Sequence, residues 1–211
     1  CLDLDGARAE ATAAGITDAG GRAIGLGVDV SDAAAIERAV QQAHDAFGGL
    51  DIAVNCAGVD YVLSATDFSV EQFDRVLAVN LRAPFLISRA VFPLMAERGG
   101  GDIVNVASTA ALRAWGNASA YHASKWGLQG LSRALGVEGR PLGIRVTTMI
   151  PGGMNTHWFD RFPDQGIPMP DPQHLQDPAT VADAIAYAVG LPRGSAVQEI
   201  LLTPVTETSW P

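Results

Sequence analysis

Residues 102–108 read Asp102-Ile103-Val104-Asn105-Val106-Ala107-Ser108, and after a small-residue link the chain continues Tyr121-His122-Ala123-Ser124-Lys125. The first run is apolar, of strand type, and ends on a serine; the second has the pattern of a helix. Tyr121 and Lys125, four residues apart, share one helical face, one turn from each other. A lysine held near a phenol favours the phenolate, because a neighbouring cation lowers an acid's pKa from its usual value of about 10. A serine hydroxyl at the strand terminus can reach the same place and hydrogen-bond a substrate oxygen. A proton donor, the group that tunes it and a group that orients its partner are what proton transfer at an alcohol or carbonyl oxygen needs. A lone Tyr-x-x-x-Lys is common on solvated helix faces, so the rest of the chain has to decide its meaning.

Working outward, apolar strands alternate with helices over the whole length. Helices are expected at residues 6–15, 32–47, 70–79, 81–98, 119–137 and 179–189, and strands at 23–30, 51–56, 102–107, 144–150 and 197–202. Ser31 is the expected N-cap of the second helix and Gly48-Gly49 its stop. Pro84 fits a first helical turn, Gly99-Gly100-Gly101 breaks the helix before the central strand, and Pro151-Gly152-Gly153 stops the strand 144–150. Nearly continuous apolar strands between helices imply a doubly wound parallel sheet covered on both faces, a single α/β domain over residues 1–211. Residues 155–178 differ: they are proline-rich and carry Trp158, Phe159, Phe162 and Met169 without a clean period, the pattern of an irregular lid. In such sheets ligands sit beyond the carboxyl ends of the strands, and Asp29, Asn55, Gly58, Ser108 and Pro151-Gly152 all fall at that edge.

Bulk properties narrow the class. The chain has 211 residues, 48% hydrophobic and 18% charged, enough for one domain with a sizeable core. A net charge of −9 argues against nucleic acid or an anionic membrane as partner. No apolar run of bilayer length and no signal peptide stand out. Cys1 and Cys56 make neither a disulfide framework nor a metal-ligand cluster, so no metal site is expected and a cytoplasmic, reduced setting is the default expectation. The chain opens in mid-pattern: Cys1-Leu2-Asp3-Leu4-Asp5 reads as the end of a strand running into an alanine-rich helix, so an amino-terminal segment before Cys1 is expected.

These residues together resemble the classical short-chain dehydrogenase/reductase (SDR) family, from Asp3 to about Leu202, and imply its Rossmann-type fold. Asn55-Cys56-Ala57-Gly58 looks like the family's Asn-Asn-Ala-Gly turn, with Cys56 in place of its second asparagine. Asn80, Ser108, Tyr121 and Lys125 match its active-site tetrad. Pro151-Gly152-Gly153-Met154-Asn155-Thr156 resembles its Pro-Gly-x-x-x-Thr motif beside the nicotinamide, and Asp29-Val30 its adenine-contacting pair. The resemblance implies that Tyr121 gives or takes the proton, Lys125 lowers its pKa and holds the nicotinamide ribose, Ser108 orients the carbonyl, and Asn80 places a water that links Lys125 to solvent. It further implies cofactor contacts at Asp3, Asp29, Val30, Asn55, Ala57, Gly58, Tyr121, Lys125, Pro151, Gly152, Met154 and Thr156. Thr156 can also be read as a helix N-cap.

Asp3, at a strand terminus, would bond the adenosine ribose 2′-hydroxyl and repel a 2′-phosphate, which favours NAD over NADP. Trp115, His157, Trp158 and Phe159 would line the substrate side. One departure is marked: the family's glycine-rich Thr-Gly-x-x-x-Gly-x-Gly turn, with the first strand and helix, is absent, so the pyrophosphate lacks that helix N-terminus and the sheet lacks a central strand. The expected function is hydride transfer between nicotinamide and a secondary alcohol or ketone, with thioester, sugar or polyol, and steroid-like substrates all open. The alternative is a non-catalytic binding or assembly subunit. The family also suggests a homotetramer or homodimer, with Leu86, Val91, Leu94 and Met95 forming a helix surface broader than one sheet needs.

Overall fold

The structure, a computed structural model, describes residues 1–160, 162–163 and 166–207. Among the described residues, parallel strands and helical segments follow in the order β1 (Leu2–Asp3), α1 (Gly6–Asp18), β2 (Leu26–Gly27), α2 (Ala33–Phe47), β3 (Ile52–Asn55), α3 (Val70–Leu77), α4 (Ala83–Glu97), β4 (Gly101–Val106), α5 (Ser119–Gly139), β5 (Ile144–Pro151), α6 (Pro178–Gly190) and β6 (Glu199–Leu202). β1 and β2 form a two-stranded parallel sheet; β3-β4-β5-β6 form a four-stranded one. This is the α/β Rossmann-type parallel architecture expected from the alternation.

The sheet is divided between β1 and β3, where the family resemblance places a strand that these residues do not contain. An apolar slot of about 320 Å³ lies there, lined among others by Leu2, Val30, Ile52, Val54 and Val91. Ile52 and Val54 of β3 are 49% and 46% exposed along this unpaired edge. The core lies on the other side of β3. β4 is buried from Gly101 to Val106, and Ile103 packs with Ile36, Leu86, Val91, Met95, Leu135, Ile144 and Val146.

Local chemistry sets most boundaries. Asp5, Asp32 and Asp177 cap α1, α2 and α6 by accepting from helix N–H groups. Asp32, not Ser31, therefore caps α2, because the Ser31 hydroxyl is engaged by Asp29 at 2.8 Å and by Arg75 at 2.7 Å. Ser69 and Gln72 form a capping box at the start of α3. Gly48 closes α2 in the left-handed conformation, φ 74°.

Three expectations change. The strand expected at 23–30 shrinks to Leu26–Gly27, because only those residues pair with β1. The two helices expected at 70–79 and 81–98 are one continuous helix, with a π-helical turn at Ala78–Arg82 in place of a break. That helix is long and apolar enough to cross a membrane by length and composition, yet Val76, Leu86, Val91 and Met95 are buried in this domain's own core. Leu86, Val91 and Met95 belong to the core cluster and Leu94 packs against it, so they do not form the spare oligomer surface expected of them. The helix pair α4–α5 instead exposes Phe85, Trp126 and Val137.

At the amino ends of the strands, Asp102 and Arg145 form a buried pair, with Arg145 Nε donating to Oδ1 at 2.7 Å and Nη2 to Oδ2 at 3.1 Å. Arg145 also donates to the carbonyls of Val189, Leu191 and Ser195, tying β4 and β5 to the end of α6. Removing one partner of a buried pair strands the other charge. Arg145→Ala is expected to cost about 3–5 kcal/mol in urea unfolding; an unchanged midpoint would show that Arg193, 3.5 Å from Asp102, carries the load alone.

Candidate functional site

β4 delivers Ser108 just past its carboxyl end. Ser108 is extended (φ −172°, ψ 163°), and its Oγ accepts from Ala110 N–H at 3.2 Å. That contact uses the oxygen as acceptor and leaves the hydroxyl proton available for another group. α5 carries Tyr121 and Lys125 as the i, i+4 spacing requires, with Lys125 Nζ 5.6 Å from the centre of the Tyr121 ring.

Lys125 is 4% exposed, and its ammonium donates to the Val106 carbonyl at 2.8 Å. Burial disfavours the charged form and lowers the Lys125 pKa from 10.5 to about 8, with the nearby Cys56 acting in the opposite direction.

Asn80 sits in the π turn, fully buried. Its Nδ2 donates to Val59 O at 2.8 Å and to Ser124 Oγ at 3.1 Å, while its Oδ1 accepts from Val59 N–H at 2.8 Å. Its side chain thus holds the segment after Gly58 against α5 and satisfies both backbone groups of Val59. The Ser124 hydroxyl in turn donates to Tyr121 O at 2.7 Å. Gly127 lets α5 approach the π turn: a Cβ there would lie 2.9 Å from Leu81 Cδ2.

A cavity of about 630 Å³ joins these groups. Ser108, Tyr121, Lys125, Gly58 and the Pro151–Met154 end of β5 line it, with Thr156, Trp115, His157, Trp158 and Phe159 at its mouth and Asp3 on the side of β1. Trp158 lies 5.5 Å from the Tyr121 ring. Thr156 caps the turn His157–Phe159 by accepting from Trp158 N–H at 3.3 Å. His157 lines the opening, but its side chain is 90% exposed and 2.9 Å from Asp160.

Four expected residues lie elsewhere. Asn55, Ala57 and Val30 line the apolar slot between the sheets, not this cavity. The Asp29 carboxylate accepts from Ser31 N–H and Oγ and from Arg75 Nη1, bonds that hold its pKa below the usual value, Ser31's backbone N–H contributing most. Asn55 donates to Asn105 Oδ1 at 2.7 Å, and Asn105 donates to Ser132 Oγ at 2.9 Å, a polar line through the sheet into α5. Asn105 was not singled out from the sequence, although a buried amide in a Val/Ile strand is itself a flag. His122, inside the quoted stretch, was also passed over.

Residues 1–165 match the short chain dehydrogenase family model. The chain belongs to the short-chain dehydrogenase/reductase family. It is 42% identical over 150 residues to a D-threitol dehydrogenase from Mycolicibacterium smegmatis, covering 71% of this chain and 58% of that protein. It is 38% identical over 155 residues to a D-beta-hydroxybutyrate dehydrogenase from Cupriavidus necator, covering 73% and 58%. The chain thus spans less than two thirds of the length of these relatives. Among solved structures, a metagenomic short-chain oxidoreductase in complex with NADP superposes with a TM-score of 0.82 at 29% identity, covering 98% of this chain and 85% of that one.

The burial of Lys125 makes a prediction about stability. Its folded pKa of about 8 lies below the free value of 10.5. Between those pH values the unfolded chain holds the proton and the folded one does not, so stability rises with pH through that window. Lys125→Met removes the buried ammonium and, after the lost bond to Val106 is counted, is expected to gain about 1–2 kcal/mol at pH 7. The rise between pH 8 and 10.5 should vanish with it. Urea unfolding of both forms at pH 7 and in that window reads both effects.

Proposed function

We propose that this chain carries the catalytic machinery of an NAD(P)-dependent oxidoreductase acting on a secondary alcohol or its ketone, with Tyr121 as acid and base. The observation that carries the reading is the convergence of Ser108, Tyr121 and Lys125 on one cavity at the carboxyl edge of the sheet.

The cavity's residues fit a dinucleotide. Gly58 leaves its floor open: a Cβ there would already lie 3.6 Å from Trp158, 3.7 Å from Asn80 Oδ1 and 3.9 Å from Lys125 Nζ, so any longer side chain would fill the space beside the ammonium. Lys125 would hold the ribose hydroxyls, Pro151, Gly152, Met154 and Thr156 would flank the nicotinamide, and Asp3 would face the adenosine ribose. The bound nicotinamide would supply the hydride chemistry.

The protein's own groups supply the rest. Ser108 Oγ donates to the substrate oxygen and fixes its direction. Tyr121 takes the hydroxyl proton during oxidation and returns it during reduction. The Lys125 ammonium favours the phenolate that the first of these steps needs. The aromatic rim of Trp115, Trp158 and Phe159 favours a substrate with apolar or ring surface, while the polyol and hydroxy-acid relatives argue for a panel that includes small polar alcohols.

NAD is favoured over NADP in this reading because the Asp3 carboxylate would oppose a 2′-phosphate; the NADP found in the metagenomic relative marks the opposing possibility. A homodimer or homotetramer through the α4–α5 face, where Phe85, Trp126 and Val137 are exposed, belongs to the same proposal.

The full-length protein, given either cofactor and a panel of secondary alcohols, should form reduced nicotinamide. Tyr121→Phe is expected to lower turnover about 10³-fold or more while cofactor affinity changes less than about threefold. Retained turnover would remove Tyr121 from the chemistry, and no cofactor binding by calorimetry would leave the binding-subunit alternative standing. Asp3→Ser should shift the NADP-to-NAD ratio of kcat/KM upward about tenfold; an unchanged ratio would place cofactor choice elsewhere.

A further inference from the structure

His122 lies between Tyr121 and Lys125 on α5, 8% exposed, and faces away from the proton-transfer groups toward the loop that links Ser108 to the helix. Its two ring nitrogens contact that loop at two points, its start and its middle. Nε2 is 3.1 Å from the Trp115 backbone nitrogen, and Nδ1 is 2.9 Å from the Ala110 carbonyl oxygen.

The partners determine the tautomer. The Trp115 N–H can only donate, so Nε2 must accept; the Ala110 carbonyl can only accept, so Nδ1 must carry the proton. Only the neutral Nδ1–H imidazole satisfies both. The ring also packs edge-on against Trp115, 4.3 Å between centres at 72°.

The loop is secured around this clamp. With its amide turned so that both atoms are satisfied, Gln129 donates to Ala111 O at 3.0 Å from the next turns of α5. Arg113 lies over the outer face of Trp115, 5.6 Å from the ring centre, donates to Thr109 Oγ1 at 3.3 Å and pairs with Glu207 at 3.4 Å. Trp115, held this way, lines the cavity, as Trp158 does.

We infer that His122 is a positioning residue for the substrate side: its neutral Nδ1–H imidazole pins Ala110 and Trp115 to α5, and so places the Trp115 wall relative to Ser108 and Tyr121. The inference rests on the proposed alcohol–ketone chemistry only for what the wall contacts. His122 touches neither the reacting atoms nor any residue assigned to the cofactor except through the helix it shares with Tyr121 and Lys125. Its loss should therefore weaken substrate binding while leaving cofactor binding and the chemical step nearly intact.

The test uses two substitutions in the full-length protein. His122→Phe keeps a ring against Trp115 but removes both hydrogen bonds. His122→Gln carries one donor and one acceptor on a single amide, spaced much like the two ring nitrogens. His122→Phe is expected to raise KM for the alcohol about tenfold, with kcat and cofactor Kd within about threefold of the parent, and His122→Gln to restore most of that KM. An unchanged KM in His122→Phe, or a cofactor Kd that worsens as much as KM does, would overturn the assignment. If His122→Phe does not fold, or if no alcohol in the panel is turned over, a long-range proton–nitrogen NMR spectrum of the unmodified protein decides the clamp itself. The Nδ1–H tautomer supports it; the Nε2–H tautomer removes the Trp115 acceptor and ends it.

Discussion

Burying the Lys125 ammonium beneath the crevice, with the Val106 carbonyl as acceptor 2.8 Å away, joins the end of β4 to the middle of α5. Many other positions follow from that contact. Ser108 leaves the strand two residues beyond Val106, and Tyr121 stands one helical turn before Lys125, so one bond sets the spacing of the hydroxyl, the phenol and the cation. The contact is costly, since a lysine deprived of water loses affinity for its proton, here down to about 8. A protein selected for stability alone has little reason to keep an ammonium in that place. Its retention is intelligible if the charge serves Tyr121.

The surrounding polar groups make the arrangement rigid. Asn80 bonds both the N–H and the C=O of Val59 while reaching Ser124, and Ser124 reaches the Tyr121 carbonyl. The π turn that holds Asn80 widens the helix by one residue and turns the amide to Val59 and Ser124; π turns inside α-helices often mark functional positions. A second line runs from Asn55 through Asn105 to Ser132 across β3, β4 and α5. Buried amides with defined partners specify one register among the near-equivalent packings that Val and Ile side chains alone would allow. Trp115 is then secured from α5 by His122 and from outside by Arg113.

The fold was legible because its signals are local and repeated: apolar strands of the right length between helices, and glycines where the helices end. Ser108, Tyr121 and Lys125 could be read together because one strand and one helix fix their spacing, whereas Asn80 came from the family resemblance. What escaped depends on partners distant in sequence. Nothing local distinguishes a strand at 23–30 from the two residues that pair, since pairing needs β1 opposite. The residues between Val79 and Leu81 read as a break because a polar Asn80 interrupts an apolar run, whereas its amide finds Val59 and continues the helix. Leu86, Val91, Leu94 and Met95 looked like spare surface only because the depth of the core against α2 and β4 is a tertiary property. His122 carried no pattern of its own; its partners, Ala110 and Trp115, are backbone atoms that a side-chain motif does not display.

In the proposed function, proton transfer and the contact to the adenosine ribose would fall to different strands. Ser108, Tyr121, Lys125, Asn80 and the Pro151–Thr156 turn all belong to the four-stranded sheet and the helices packed on it. Asp3 alone among the assigned cavity residues comes from the two-stranded unit of β1 and β2. Proton transfer requires placement within fractions of an ångström, and the groups proposed for it stand on β4, β5 and α5, whose strands are buried and paired along most of their length. Discrimination at a ribose hydroxyl tolerates more movement, because a carboxylate acts on a 2′-phosphate largely through charge. The Asp3 carboxylate is exposed and accepts from Asp5 N–H at 2.8 Å. In the proposed function, a substitution at Asp3 would therefore alter the charge at the ribose while leaving in place the bond of Lys125 to the Val106 carbonyl.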